Sequence, residues 1–387
     1  MILTILIFIV ILGILVFVHE FGHFVVAKKS GMVVEEFGFG FPPRIAGVQK
    51  VDGKWRWVWF HRKISQAENI TPQPPLNLRG GEGSTIYSIN AIPLGGFVKI
   101  LGENNDNEDH PGSFINKGFW PRFFTLIAGV IMNVVLAWVI LSAGYMIGLP
   151  VAIDSLADVP AHATLTRPET AVLDVQKNLP ADKAGVKPND VILSLDGKAF
   201  NSVNEFQQYI NSHQGQAINF QVQRGRQHLD ILITPDINPP QGQGATGIEV
   251  SLLGRLKYPW YLAIWQGGLA TVSGIAGIVY GLYSLFVQHI GFSSLGGPVQ
   301  IAKLTGQVTG LGFVFLMQFT AFLSLNLAVL NILPFPALDG GRVLFLIIEK
   351  VRRKRNNQKV EQLVNTAGFI FLILLMVAVT VHDIIRK

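Results

Sequence analysis

Residues 2–27 read ILTILIFIVILGILVFVHEFGHFVVA, an apolar run that carries His19, Glu20 and His23 in its second half. A run of this length suffices to cross a bilayer as a helix. It is not the pattern of a cleaved signal peptide, because no basic residues precede it and it contains His and Glu. On a helix, positions 19 and 23 lie one turn apart on the same face. Two neutral imidazoles at that spacing can share a zinc ion. Glu20, between them, is placed to take a proton from a water beside the metal. Ionisable side chains inside a membrane-length segment are energetically unfavourable, so the triplet marks a functional site by default. The competing reading is a pair of histidines that hydrogen-bond between helices. An acidic partner elsewhere in the chain decides between the two.

The chain has 387 residues, 49% hydrophobic and 14% charged, against about 25% charged in average proteins. This composition describes a membrane protein with a soluble part. The net charge of +6 does not indicate nucleic acid, because the basic residues cluster beside apolar segments, where they read as cytoplasmic flanks. There is no cysteine, which excludes disulfides and thiolate ligands. A zinc ion would therefore be held by His, Asp or Glu.

Four segments are candidate spans: Ile2–Ala27, Phe123–Leu149, Leu311–Leu333 and Leu363–Val381. Lys28 and Lys29 follow the first, Arg122 precedes the second, and Arg352-Arg353-Lys354-Arg355 precedes the last. The positive-inside rule puts the N-terminus outside and these basic residues in the cytoplasm. Tyr258–Val287 is also apolar, but a single crossing there would place the Arg352 cluster outside. Five glycines dilute it, and Trp260 and Trp265 suit an interface, so it reads as an interfacial or re-entrant helix.

Between the first two spans, Lys54–Trp59 alternates like a strand with a tryptophan face. Thr71–Ser84, rich in Pro and Gly, reads as a loop. Ser88–Leu101 reads SINAIPLGGFVKIL, an apolar hairpin with its bend at Gly95-Gly96. Non-helical backbone of this kind approaches a membrane-embedded site only where protein or water satisfies it.

From Val151 to Pro240 the composition becomes that of a soluble domain. Strand-like runs surround a helical stretch at Val203–Ser212, with strands at Ile218–Val222 and Leu229–Thr234. The order Pro180-Ala181, Ala184-Gly185-Val186, Asp190-Val191-Ile192 and Asp196-Gly197 resembles the bacterial PDZ pattern. PDZ domains take extended peptides at a sheet edge. A spacer that binds nothing is the alternative, since fold alone does not set function.

The best acid to complete a zinc site is Asp339, in Asn331-Ile-Leu-Pro-Phe-Pro-Ala-Leu-Asp339-Gly-Gly341. Pro334 and Pro336 prevent a regular helix there and can turn the carboxylate inward. The charge pattern runs the Leu311 span in the same direction as the first, so Asp339 and the histidines reach similar depth. Taken alone, Asp339 reads equally as the N-cap of a helix over 341–350; paired with the histidines, it reads as the third ligand.

These stretches, with Phe37–Phe41, Ile92–Lys99, Ala128-Gly129, Asn133, Gly297-Pro298 and Ser324–Gly341, resemble the site-2-type intramembrane zinc metalloproteases of the bacterial regulator-of-sigma-E protease group. The resemblance implies one catalytic Zn2+ on His19, His23 and Asp339, with Glu20 as general base. It implies that Asn331 holds substrate backbone or an oxyanion, and that Gly95, Gly96, Phe97, Val98 and Lys99 pair with substrate as an edge strand. The implied substrates are transmembrane segments of membrane-anchored proteins, such as anti-sigma factors or signal-peptide remnants. The implied setting is the bacterial inner membrane, with the N-terminus and the PDZ-like domain outside and the site near the cytoplasm. Val130 departs from the proline often found there, residues 49–83 look longer than usual, and only one PDZ-like unit fits. A membrane-anchored zinc protease with a cytoplasmic site, a metal transporter and a PDZ scaffold with a vestigial site remain as rivals.

The expected architecture is a polytopic α-helical membrane protein with about four spans, a membrane-associated β-hairpin region and one inserted PDZ-like α+β domain. The expected divisions are 1–150, 151–240, 241–310 (interfacial or re-entrant) and 311–387.

Overall fold

The computed structural model describes residues 2–51, 53–59, 85–103, 110–160, 162–225, 227–239, 244–287 and 296–385. The loop expected at Thr71–Ser84 lies outside the described residues. The chain runs α1 (Ile2–Lys29), β1 (Val34–Val51), β2 (Lys54–Trp59), β3 (Ile86–Ile100) and α2 (Phe119–Ile147). Next come β4 (Leu149–Ile153), β5 (Thr164–Val175), α3 (Pro180–Ala184), β6 (Val191–Leu195), α4 (Val203–Ser212), β7 (Ile218–Arg224), β8 (Gln227–Ile233) and β9 (Ile248–Lys257). The last part is helical: α5 (Trp260–Val287), α6 (Pro298–Leu311), α7 (Phe313–Ile332), α8 (Asp339–Arg352) and α9 (Gln358–Ile385). Two compact units result, Met1–Leu141 with Gly268–Lys387, and Ser142–Gly267.

Five helices among the described residues, α1, α2, α5, α7 and α9, are long and apolar enough to cross a membrane. Four of them coincide with the expected spans. The fifth, α5, is continuous over 28 residues despite its glycines. In the first unit Gly274 lies against Leu325 of α7, where a Cβ would come within 2.8 Å. In the second unit Gly267 lies against Ser142. These glycines serve close helix contact and do not break the helix.

In the first unit, the N–H of Gln300 donates to Asp383 Oδ2 at 3.2 Å, and Gly306 abuts Thr4. α6 therefore sits at the end of the bundle where α1 begins and α9 finishes. α7 starts from that same end, so α1 and α7 run the same way, as the charge pattern required.

β1, β2 and β3 form one sheet in the order β2-β1-β3. The expected hairpin does not close on itself. Phe37, Gly38 and Phe39 of β1 are flanked by Val98, Phe97 and Gly96 on one side and by Tyr87, Ser88 and Ile89 on the other. The two halves of β3 thus embrace β1 instead of pairing with each other. The reason lies in β1, an 18-residue strand whose first half offers both of its edges. Gly95, at φ +120, makes the bend and lies against Val16 of α1.

The second unit is a six-stranded sheet in the order β4-β9-β5-β6-β7-β8, with α3 and α4 beside it. Its core includes Val172, Ile192, Leu195, Phe206, Phe220 and Ile233, each at most 5% exposed. Ser202 caps α4 by accepting from the N–H of Glu205 at 3.1 Å, while Glu205 Oε2 reaches back past the cap to accept from the N–H of Asn201, an arrangement related to the capping box. The helix and strands read at 203–212, 218–222 and 229–234 are present as α4, β7 and β8. Ile248–Lys257, placed by the sequence in an interfacial segment after residue 240, instead forms β9 between β4 and β5. Its alternating Ile-Glu-Val-Ser-Leu fits a half-buried strand.

Candidate metal centre

His19 and His23 project from the same face of α1 and are buried, at 6% and 7% exposure. Their Nε2 atoms lie 3.1 Å apart. Asp339 Oδ2 lies 2.9 Å from His19 Nε2 and 3.5 Å from His23 Nε2. Among the described residues this is the group of His, Asp and Glu side chains that can converge on one ion, with ligand atoms within 4.8 Å of one another.

The donor set fits zinc, and the hydrogen bonding around it fits better still. Asp339 Oδ2 is a buried oxygen with no hydrogen-bond partner, although two imidazoles stand beside it. A buried acceptor left in that state is unfavourable unless something else satisfies it, and a cation between the three atoms does so. An aspartate carboxyl, whose ordinary pKa lies far below neutrality, can ligate as the carboxylate.

Each ring is oriented from behind. His23 Nδ1 lies 2.6 Å from the carbonyl of Thr125, so Nδ1–H donates there and Nε2 keeps its lone pair for a metal. His19 Nδ1 lies 3.1 Å from Nδ2 of the Asn133 amide, whose oxygen and nitrogen can be exchanged by a flip. With the amide turned to present Oδ1, which otherwise has no partner, Asn133 accepts from Nδ1–H and frees Nε2 of His19. The carbonyl of Asn133 in turn accepts from Ser324 Oγ at 2.8 Å, which ties α2 to α7 behind the site.

The approach of α2 depends on small residues. A Cβ on Gly129 would overlap the rings of both histidines, and one on Gly22 would strike the carbonyl of Ala128. The turn that delivers Asp339 is built in the same way. A Cβ on Gly340 would collide with the carbonyls of Ile332 and Leu333, and one on Gly341 with that of Phe335. Ala337 sits in the left-handed region at φ 72, and its N–H donates to Asn365 Oδ1 of α9 at 3.2 Å. The N-cap of α8 is Leu338, without a side-chain cap bond. Asp339 is thus the first residue of α8 and does not cap it. Arg342, one turn on, is ion-paired with Glu103 just after β3.

The structure brings His19, His23 and Asp339 together and places Asn331 Nδ2 3.5 Å from His19 Nε2. Glu20 is partly buried on the same turn of α1. Gly95 and Gly96 lie against Val16 and Phe17, one turn before His19. The Thr125 carbonyl escaped the sequence reading, because a backbone acceptor has no sequence signal. Asn133 and Gly129 were visible as family motif residues without roles.

A model of the peptidase family M50 matches residues 7–61 and 64–375. A curated protein of Clostridium perfringens is 33% identical over 96% of this chain and 95% of its own length. Zinc metalloprotease RasP of Geobacillus kaustophilus is 28% identical over 98% and 97% of the two chains. The regulator of sigma-W protease RasP of Bacillus subtilis is 29% identical over 99% and 98%. The buried His-His-Asp set, the apolar helices and these full-length matches agree: the chain belongs to peptidase family M50 and is a membrane zinc metalloprotease.

Proposed function

We propose that this protease cuts within the transmembrane segments of membrane-anchored proteins, as a step of regulated proteolysis. The observation that carries the reading is the cluster of His19 and His23, inside the apolar membrane-length helix α1, with Asp339 beside them, all in the first unit. His19, His23 and Asp339 would hold one zinc ion, which when bound supplies Lewis acidity and brings the pKa of a water towards neutrality. Glu20 accepts the proton of the attacking water and returns it to the leaving amine. Asn331 offers an amide donor beside the ligands, suited to an oxyanion or to substrate backbone.

A helical substrate hides its carbonyls in its own hydrogen bonds and must unwind locally. β3 is an edge of its sheet, and its Gly96–Lys99 segment pairs with β1 on one side. An unwound substrate adding to the other side would recover its lost backbone bonds. The proposed substrates are membrane-anchored regulators such as anti-sigma factors, and signal-peptide remnants; the name of the Bacillus subtilis relative, regulator of sigma-W protease, supports a regulatory role. We further propose that the chain sits in a bacterial plasma membrane; the distribution of basic residues supports an orientation with the N-terminus and the PDZ-like unit outside and the site near the cytoplasm. There that unit would screen ectodomains or take peptide termini at a sheet edge.

The test is cleavage of a model transmembrane substrate by the purified chain, with the cut site mapped by mass spectrometry. Glu20→Gln is expected to keep zinc and lose cleavage by at least about a hundredfold. Asp339→Ala is expected to lose zinc as well. Normal cleavage by Glu20→Gln, or a cut mapped outside the membrane segment, would overturn the reading.

A further inference from the structure

Where α2 begins and α8 ends, the first unit has a concavity of about 660 Å3 lined by Lys117, Arg122, Lys350, Arg353, Lys354 and Arg355, with Glu349 as its one carboxylate. Glu349 is already engaged, accepting from both terminal nitrogens of Arg122 at 2.9 and 3.2 Å. Among the described residues, no ion pair joins the other five cations to a carboxylate. Arg122 Nε is buried and has no hydrogen-bond partner. The concavity thus carries excess positive charge and a buried donor that nothing among the described residues satisfies.

The backbone is bent to assemble it. Arg353 ends α8 in the left-handed region, at φ 52 and ψ 27, where glycine is the usual residue and an arginine is sterically disfavoured. That turn brings the chain back towards α2, where Arg355 Nη2 meets Asn116 Oδ1 at 3.4 Å. Lys350 Nζ is held over the ring of Phe119, 5.3 Å from its centroid. The first turn of α2 adds the positive end of a 29-residue helix, with no acidic residue to offset it.

Its level in the fold identifies what fills it. The concavity lies at the start of α2, and α9, another apolar helix, begins at Gln358 just beyond Arg355. Trp120 and Phe124, on the first turns of α2, are 61% and 50% exposed, as suits side chains at a membrane interface. Basic pockets at the ends of membrane helices match the phosphate of anionic lipids. We propose that this concavity binds the phosphate of an anionic phospholipid headgroup, with Arg122, Lys350, Arg353 and Lys354 as its main donors.

Native mass spectrometry of the full chain in neutral detergent tests this, using phosphatidylglycerol and phosphatidylcholine with the same acyl chains. Phosphatidylglycerol is expected to be retained selectively. The combined variant Lys350→Gln/Arg353→Gly/Lys354→Gln is expected to retain it at least about tenfold more weakly. Arg353→Gly keeps the left-handed turn while removing the charge. Lys354→Gln alone, an exposed change, should weaken retention roughly fivefold. Lys28→Gln/Lys29→Gln, which alters a basic flank outside the concavity, should leave retention unchanged. Equal retention of the two lipids, unaltered retention in the Lys354 and combined variants, or an equal loss in the Lys28/Lys29 variant would overturn the proposal. So would displacement of phosphatidylglycerol by millimolar inorganic phosphate, which would mark a site for free anions.

Discussion

Gly129 of α2 runs directly against His23 of α1, so closely that a Cβ at position 129 would overlap the imidazole and also reach within 2.6 Å of His19 Cε1 and Nε2. Both rings are fixed from behind, His23 by the Thr125 carbonyl and His19 by Asn133, so neither can swing aside without losing its orientation. Gly129→Ala is therefore expected to displace the ligands while leaving the helices membrane-inserted. Zinc measured in the purified variant should fall below one tenth of the normal content, as it does when metal ligands lose their orientation. Full zinc content would show that α2 can move away without cost to the site.

Asn133 tests the orientation argument on the other ring. Removing a partner that orients a metal-bound imidazole usually weakens metal affinity about 10–100-fold. Asn133→Ala should show a loss of that size in a competition titration with a zinc chelator. Asn133→Asp retains an acceptor for Nδ1–H and should recover most of the affinity. Equal loss in both variants would mean that Asn133 acts through helix packing and its bond network to Ser324.

Gly95 separates the sheet from the metal. Its φ of +120 is open to glycine and strained for other residues, by about 1–3 kcal/mol, and a Cβ there would lie 2.7 Å from Val16. Gly95→Ala should push Gly96–Lys99 away from α1 without touching the ligands. The expected result is normal zinc content with cleavage of a transmembrane substrate reduced at least about tenfold. Undiminished cleavage would remove this segment from substrate handling.

The contrast between Thr125 and His19 shows where the sequence was legible. Spacing alone placed His19 and His23 on one helix face, because i and i+4 repeat with the helix whatever surrounds it. Pro334 and Pro336 marked the break that frees Asp339, since proline acts locally. The charge runs beside apolar segments set the common direction of α1 and α7. The rest depends on contacts between distant segments. Nothing local tells a strand such as β3 that its two halves will flank β1 instead of pairing together. Gly267 and Gly274 of α5 look like mere dilution of an apolar stretch until Ser142 and Leu325 are seen against them. β9 has the alternation of a strand, yet its place between β4 and β5 is settled only by long-range pairing.

In the second unit Asp190, 1% exposed, accepts from Arg224 Nε and Nη2, each at 2.7 Å, and from the N–H of Lys187 at 2.9 Å. Burial would raise its carboxyl, but the Arg224 guanidinium and the Lys187 amide outweigh this and hold it below its ordinary value. A depressed carboxyl stabilises the fold fully above its unfolded pKa, near 3.9, and that contribution fades as pH falls through the lower, folded value. Asp190→Asn keeps the shape and an acceptor but loses the ion pair. It is expected to destabilise the unit by about 2 kcal/mol at neutral pH, read as faster hydrogen exchange of the β6 and β7 amides in the full chain. The difference between wild type and variant should shrink as pH is lowered from about 4 towards 2. A difference that stays constant over that range would show that the Asp190 charge contributes nothing, and that the variant's defect lies in packing.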